Sequence, residues 1–205
     1  MLTLPNTPIA LEGGHVKLIP LTIEHCASFK SLLLTQSLHK LWYTHIPSAE
    51  RVEDEIKRRL ALQSIGSMIP FSVLDRANNQ ICGMTSFMNI DAKNRRVEIG
   101  STWLSMSVQR SAINTQMKYL QLLYAFESWN CIAVEFRTHF MNHQSKKAIE
   151  RLGAKLDGVL RSHQIMPNKS LRDTCVYSIT HAEWPAVKAH LTHLQNLYTD
   201  SSFAS

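Results

Sequence analysis

Hydrophobic and polar residues alternate along Val16–Pro20, the period of a half-buried strand. Residues 22–34 change to near-helical spacing, with Ile23, Cys26, Ala27, Phe29 and Leu33 recurring, Thr22 as N-cap and Glu24 in the first turn. The aromatic stretch 36–47 keeps neither period and reads as a loop. A second helix is predicted from a Ser48 cap to about Ile65. Its acids Glu53, Asp54 and Glu55 come early and Arg58 and Arg59 late, the order a helix dipole favours. Strands follow at 70–74, 80–88 and 95–104, parted by turns at 77–79 and 91–94, so they form an antiparallel meander. Met117, Leu120, Leu123, Tyr124 and Phe126 predict a long helix over 115–129. Residues 132–138 are β-rich, and a helix over 142–152 closes on Gly153 at its C′ position. Strands 158–164 and 172–180 make a hairpin about residues 167–170, and a last helix covers 183–197.

A strand that is followed by a long helix and then another strand of the same sheet requires a parallel crossover. The expected class is therefore α+β: a mixed, mostly antiparallel sheet with one parallel pair near its middle, flanked by helices. The 205 residues suit one domain, with a core over about 16–191, a short N-terminal arm and a C-terminal tail. No repeat, linker or low-complexity tract interrupts it.

Composition narrows the classes further. At 44% hydrophobic and 19% charged residues the chain is an ordinary globular one, and no apolar run approaches a membrane span. The first 14 residues lack the basic start and apolar stretch of a secretory signal, so a cytoplasmic setting is expected. Cys26, Cys82, Cys131 and Cys175 lie far apart and read as reduced thiols. Ten histidines include no HExxH-like pair; His139 and His143 are split by a strand end, so no metal is expected. The net charge of +6 is dispersed, which suits a polyanionic ligand as well as nucleic acid, and nothing specific supports the latter.

Residues 98–115 are where chemistry is expected. A strand ends there, a short loop follows and a long helix begins, with Asn114 or Thr115 as its cap. A helix N-terminus offers free N–H groups and a positive dipole end to phosphate, although an ordinary strand-to-helix turn has the same outline. Glu98 is an acid between Val97 and Ile99, and strict alternation puts it on one face with Gly100 and Thr102. It is either a general base or the partner of an arginine such as Arg96.

The loop Gln109-Arg110-Ser111-Ala112-Ile113-Asn114 resembles the pyrophosphate loop of the GNAT superfamily of N-acetyltransferases, Gln/Arg-x-x-Gly-x-Gly/Ala. Asn142-His143-Gln144-Ser145, continuing through Ala148 to Leu152-Gly153, resembles the superfamily's Asn-x-x-Ser-x-x-Ala-x-x-x-Leu-Gly motif. The Glu98-Ile99-Gly100 strand, Gly158-Val159-Leu160-Arg161 and the strand at 172–179 are similar to the ribosomal-protein, Acetyltransferase-3 branch, and the likeness runs over roughly 16–191. It implies direct attack of a primary amine, a protein N-terminus or a small molecule, on acetyl-coenzyme A without an acyl-enzyme. The runner-up is a fold that binds coenzyme A or an acyl-CoA but has lost turnover.

On this resemblance Glu98 is the candidate base, acting through water, and Ser145 the candidate donor to the leaving sulfur. Leu104 and Met106 offer backbone groups to the pantetheine arm, Gln109, Arg110, Ser111, Ala112, Ile113, Asn114 and Thr115 cradle the pyrophosphate, and Asn142 caps its helix and meets pantetheine. Trp42, Tyr43, His45 and Tyr177 shape the acceptor side, unless they are packing aromatics. Acetyl-CoA and an amine are the implied partners, with the protein a monomer or homodimer. The chain departs from the pattern in having Ala112 and Asn114 for glycines, Met106 for a proline, and Ile149 where many members have a tyrosine. Were Ala112 to need a positive φ, the cost would be about 1–2 kcal/mol.

Overall fold

The computed structural model describes residues 9–36, 41–44 and 46–201. Eight strands form one sheet: β1 (Leu11–Glu12), β2 (Val16–Pro20), β3 (Met68–Asp75), β4 (Gln80–Asp91), β5 (Arg96–Leu104), β6 (Ala133–His139), β7 (Lys155–Ile165) and β8 (Leu171–Thr180). Their order is β1-β2-β3-β4-β5-β6-β8-β7. Among the described residues five α-helices flank it: α1 (Cys26–Leu34), α2 (Val52–Ser64), α3 (Ala112–Leu123), α4 (His143–Arg151) and α5 (Trp184–Ser201). The pair β5–β6 is parallel and every other pair antiparallel. This is the mixed sheet expected from the crossover argument. The final hairpin folds back so that β8, not β7, borders β6.

Apolar layers cover both faces. On one, Val97, Ile99, Val134 and Phe136 of the central strands meet Met117 and Leu122 of α3, with Trp184 and Leu191 of α5 beyond. On the other, Met84 and Trp103 meet Phe29, Leu33, Val52 and Ile56 of α1 and α2. Full burial of such side chains is worth about 1.5–3 kcal/mol each, so the two layers hold β5 rigidly between them. Among the described residues no helix is long and apolar enough to cross a membrane.

Three helix starts differ from the periodicity. Thr22 caps a 3-10 turn, Ile23–His25, before α1 begins. Helix α2 starts at Val52, after a turn over 49–51 rather than directly from Ser48. Helix α3 starts at Ala112, earlier than the apolar spacing indicated, and loosens into a π-turn at Tyr124–Ser128. Its cap is Ser111, whose Oγ accepts from the Ile113 N–H at 3.3 Å; Asn114 and Thr115 lie inside the first turn.

Candidate active site

The sheet opens in its middle. Strands β5 and β6 pair over three rungs, Arg96 with Ala133, Val97 with Val134 and Glu98 with Glu135. Beyond Glu98 the two strands part: β5 stays on β4 as far as Leu104, and β6 stays on β8 as far as His139. The result is a notch whose walls are residues 99–104 and 136–139. Backbone groups facing a gap between strands need partners from elsewhere, so an extended ligand with amides of its own fits there.

Two helix N-termini stand at the mouth, because α3 follows the C-terminal end of β5 and α4 follows that of β6. At α3 the chain turns through a 3-10 segment, Met106–Val108, and then Arg110, which takes φ 61°. Ser111 Oγ donates to the Val108 carbonyl at 2.6 Å as well as capping the helix. Ala112 is a buried first residue of the helix, so the loop's positive φ falls on Arg110 and Ala112 carries no such strain. At α4 Asn142 Oδ1 accepts from the Ser145 N–H at 3.0 Å, with the half-buried Ser145 in the first turn. Gly153 has φ 94°, the left-handed C′ residue the sequence indicates. Anions bind at such N-termini through free N–H groups and the dipole.

The backbone groups expected to meet pantetheine have partners within the chain. Gln109 Nε2 donates to the Leu104 carbonyl at 3.2 Å, and the Met106 N–H donates to Gln36 Oε1 at 2.8 Å. Both partners are glutamine side chains, which an incoming amide can replace.

Glu98 sits at the vertex of the notch, on the last paired rung, and is 5% exposed. Its Oε2 accepts from Asn89 Nδ2 at 2.7 Å, and Arg137 Nε lies 3.5 Å away. Burial outweighs these partners and pushes the carboxyl above its ordinary range. A methyl at Gly100 would come within 2.8 Å of Glu98 Oε1 and Met88 Sδ, so glycine there gives the carboxylate its room. Arg96 is not the partner of Glu98: it binds Glu135 at 2.6 Å, and Arg137 joins Glu135 at 3.0 Å. Glu98, Glu135, Arg96 and Arg137, with Asn89 and Asp91, line a cavity of about 190 Å³.

Strict alternation fails just past Glu98. Ser101 takes φ 48°, and the β4–β5 register slips between the Ser86–Gly100 and Met84–Trp103 rungs. This bulge turns Thr102 to the α3 face, while Glu98 and Gly100 stay on the α2 face. Arg59 of α2 pins it: its guanidinium donates to the Ser101 carbonyl at 2.9 Å and to Ser86 Oγ at 3.2 Å, and pairs with Glu55 at 2.7 Å.

On the α2 face, Trp42 and Tyr43 pack edge-on at 5.6 Å. Both approach the His139 ring, at 5.2 and 6.2 Å. His45 lies outside the described residues. His139 shares a strand face with Glu135 and Arg137, and its Nδ1 accepts from the Met141 N–H at 3.0 Å. From the sequence His139 is a candidate only for metal; its strand parity with Glu135 is the signal that puts it on the sheet face of Trp42 and Tyr43. Tyr177 is not brought to that face. It packs under α4, its hydroxyl donates to Glu150 Oε1 at 2.9 Å, and burial pushes its phenol up to about 12.

The second group that pattern reading missed is Lys118, which reaches Thr102 from α3. Ile149, at the position where many members of the resembled superfamily have a tyrosine, is a buried core residue. Burial pushes the Cys82 thiol up to about 12 and that of Cys131 to about 11, so neither is an activated nucleophile.

Known proteins share this architecture. The provisionally named ribosomal N-acetyltransferase YdaF of Bacillus subtilis (strain 168) is 30% identical over 111 residues, which are 54% of this chain and 60% of YdaF. The match therefore spans less than two thirds of that relative's length. The crystal structure of a GCN5-related N-acetyltransferase from Brucella melitensis superposes with a TM-score of 0.82 at 25% identity, covering 91% of this chain and 85% of that one. Mycobacterium smegmatis RimJ, in a structure with CoA-disulfide, shares the fold at a TM-score of 0.74 and 19% identity, over 92% and 93% of the two chains. The acetyltransferase (GNAT) domain family matches residues 15–155, from the strand before α1 to the start of β7. With the notch, both helix N-termini and their motifs inside that span, the chain belongs to the acetyltransferase (GNAT) domain family.

Proposed function

We propose that the protein moves an acetyl group from acetyl-coenzyme A to a primary amine, on a protein N-terminus or a small molecule, by direct attack within one complex. The observation that carries this reading is the notch: unpaired strand edges, two helix N-termini at the mouth and a buried carboxyl at the vertex. These residues fit coenzyme A. The first turn of α3, with the Gln109–Arg110–Ser111 approach and Ala112, Ile113, Asn114 and Thr115, would hold the diphosphate. Leu104, Met106 and Asn142 would meet the pantetheine amides once Gln109 and Gln36 give way. When bound, the thioester supplies an activated acetyl carbon and a thiol leaving group.

Glu98 draws the proton from the amine, through a water in the cavity it lines. A carboxyl raised toward neutrality serves as a base better than an ordinary one. Arg137 and Asn89 hold it in place. Trp42, Tyr43 and His139 would close the acceptor side, and an aromatic wall suits an amine, neutral or charged. A cytoplasmic monomer or homodimer is the working form.

Calorimetry with acetyl-CoA, CoA and pantetheine tests the reading first. CoA should bind far more tightly than pantetheine; equal affinities would remove the phosphate-loop assignment. Thiol release in a screen of N-terminal peptides and small amines then identifies the acceptor. The occupied Leu104 and Met106 groups favour one second reading, a CoA-binding module without turnover. Acetyl-CoA protection against unfolding, with no amine-dependent thiol release, would select it.

A further inference from the structure

A buried amine stands behind the notch with no carboxylate in ion-pair reach among the described residues. Lys118 lies on α3, 7% exposed, facing the sheet. Its Nζ donates to Thr102 Oγ1 at 2.8 Å and to Thr85 Oγ1 at 3.4 Å. Thr85 Oγ1 also meets Thr102 Oγ1 at 2.8 Å and Gln121 Oε1 at 3.2 Å. Gln121 Nε2 is buried with no hydrogen-bond partner in the structure.

The surroundings hold little charge. Helix α3 carries no acid from Ala112 to Leu123. Strands β4 and β5 present hydroxyls, and from α4 the Arg151 guanidinium comes to Thr115, one turn earlier on α3. The acid whose charge reaches Lys118 is Glu98, based on the other face of β5. Burial therefore holds the ammonium down to about 7. An apolar side chain would fill the same space without that cost, and perturbed ionisable groups beside clefts mark functional sites.

Thr102 connects this cluster to the notch. It is half-buried, it lies in the part of β5 that has left β6, and the Ser101 bulge turns its hydroxyl toward Lys118. We infer that Thr102 and Lys118 form a proton-delivery pair for the leaving sulfur, with Thr102 as the catalytic contact and Lys118 as the positioning residue behind it. This rests on the acetyl-transfer reading above. As the amine nitrogen bonds to the acetyl carbon and the carbon–sulfur bond breaks, the sulfur keeps the electron pair. Thr102 gives its hydroxyl proton to the sulfur and Lys118 replaces it. The amine's own proton passes to Glu98. After product leaves, Glu98 releases a proton and Lys118 takes one, so the protein is unchanged. The pair does what Ile149 cannot.

The test reads the thiol itself and needs no acceptor. Coenzyme A bound to the enzyme is titrated by its ultraviolet thiolate absorbance, in wild type, Lys118→Met, Thr102→Val, Thr102→Ser and Ser145→Ala. In wild type the bound thiol should ionise about two to three pH units below free CoA, low enough for Lys118 still to carry its proton as the adjacent ammonium. Lys118→Met and Thr102→Val should lose that shift; Thr102→Ser and Ser145→Ala should keep it. With an acceptor in hand, Lys118→Met should lower kcat about 100-fold, with the affinity for acetyl-CoA, which has no free thiol, within about twofold; wild-type kcat should fall as Lys118 loses its proton above about pH 7, and Lys118→Met should lack that fall. An unshifted thiol in wild type, or a shift that survives Lys118→Met and disappears in Ser145→Ala, overturns the inference. Should Lys118→Met fold poorly, Thr102→Val against Thr102→Ser decides alone. Failure of wild type to bind CoA at all would instead overturn the acetyl-transfer reading.

Discussion

Strand β5 carries two buried ionisable neighbours on its opposite faces, and they are treated differently. Glu98, on the α2 face, has Asn89 and Arg137 within reach and a small cavity before it. Lys118, on the α3 face, has among the described residues the hydroxyls of Thr102 and Thr85 as its hydrogen-bond partners. Burial raises the carboxyl and lowers the amine, so both move toward neutrality. A carboxyl that holds its proton more firmly and an amine that releases its proton more readily than usual are shifted in the directions that general base and acid work calls for. On the acetyl-transfer reading the two take different sides: the carboxyl lies on the sheet face it shares with the aromatic loop proposed to meet the acceptor, and the amine backs the wall of the notch.

The largest expected effect breaks the Glu98 side. Glu98→Gln keeps the shape and the Asn89 contact but removes the base, so kcat should fall about 100- to 10,000-fold with CoA affinity nearly unchanged. The defect should shrink as pH rises, because more of the amine is already neutral. A pH series of kcat checks this; intact turnover with a good acceptor would move the base elsewhere. Stability should not fall with activity. The folded carboxyl titrates above its unfolded value of about 4.3, so the native state binds more protons between the two and loses stability as pH rises through that window. Glutamine escapes this loss, and thermal unfolding at neutral pH should show Glu98→Gln at least as stable as wild type.

The Lys118 side gives the mirror experiment. Its folded value of about 7 lies below the unfolded value of about 10.4. The unfolded state binds the extra proton between them, so wild type gains stability as pH rises through this window. Lys118→Met should be the more stable protein below about pH 7, with its advantage shrinking toward pH 10. Urea unfolding of both proteins at several pH values measures it; a constant difference would mean that Lys118 is not the titrating group.

Gly100→Ala perturbs the comparison more gently. The added methyl crowds Glu98 Oε1 and Met88 Sδ, an overpacking worth about 1–3 kcal/mol. It should lower the denaturation midpoint and kcat together while sparing CoA binding; normal kinetics would show that the carboxylate can move freely. Smallest is Ala112→Gly. Because Ala112 is helical and buried, glycine there should cost at most about 1 kcal/mol and should not tighten CoA binding. Calorimetry showing much tighter binding would mean that the loop adopts a different turn when it holds diphosphate.

Much of this architecture was legible in the chain because it rests on local rules. The strands at 16–20, 80–88 and 95–104, the Asn142 cap, the Gly153 stop and the crossover that forces β5 and β6 parallel follow from side-chain period, capping chemistry and chain connectivity. Glu98 stood out for the same reason, as an acid within an apolar strand. The Ser111 cap was passed over because the apolar spacing of α3 begins later than its backbone does.

What the sequence determined by itself, then, is the order of elements and the motif-bearing turns, since these depend on neighbours within a few residues. Only the tertiary structure decided which face each critical side chain takes. The bulge at Ser101 reverses the parity of β5, and it is held by Arg59, 42 residues away in the chain. That reversal parts Thr102 from Glu98 and hands it to Lys118. The choice between Arg96 and Arg137 as the partner of Glu98, the burial of Tyr177, and the placing of His139 against Trp42 and Tyr43 were likewise settled between elements. A period of two foretells a face only while the ladder is regular, and long-range hydrogen bonds decide where it breaks.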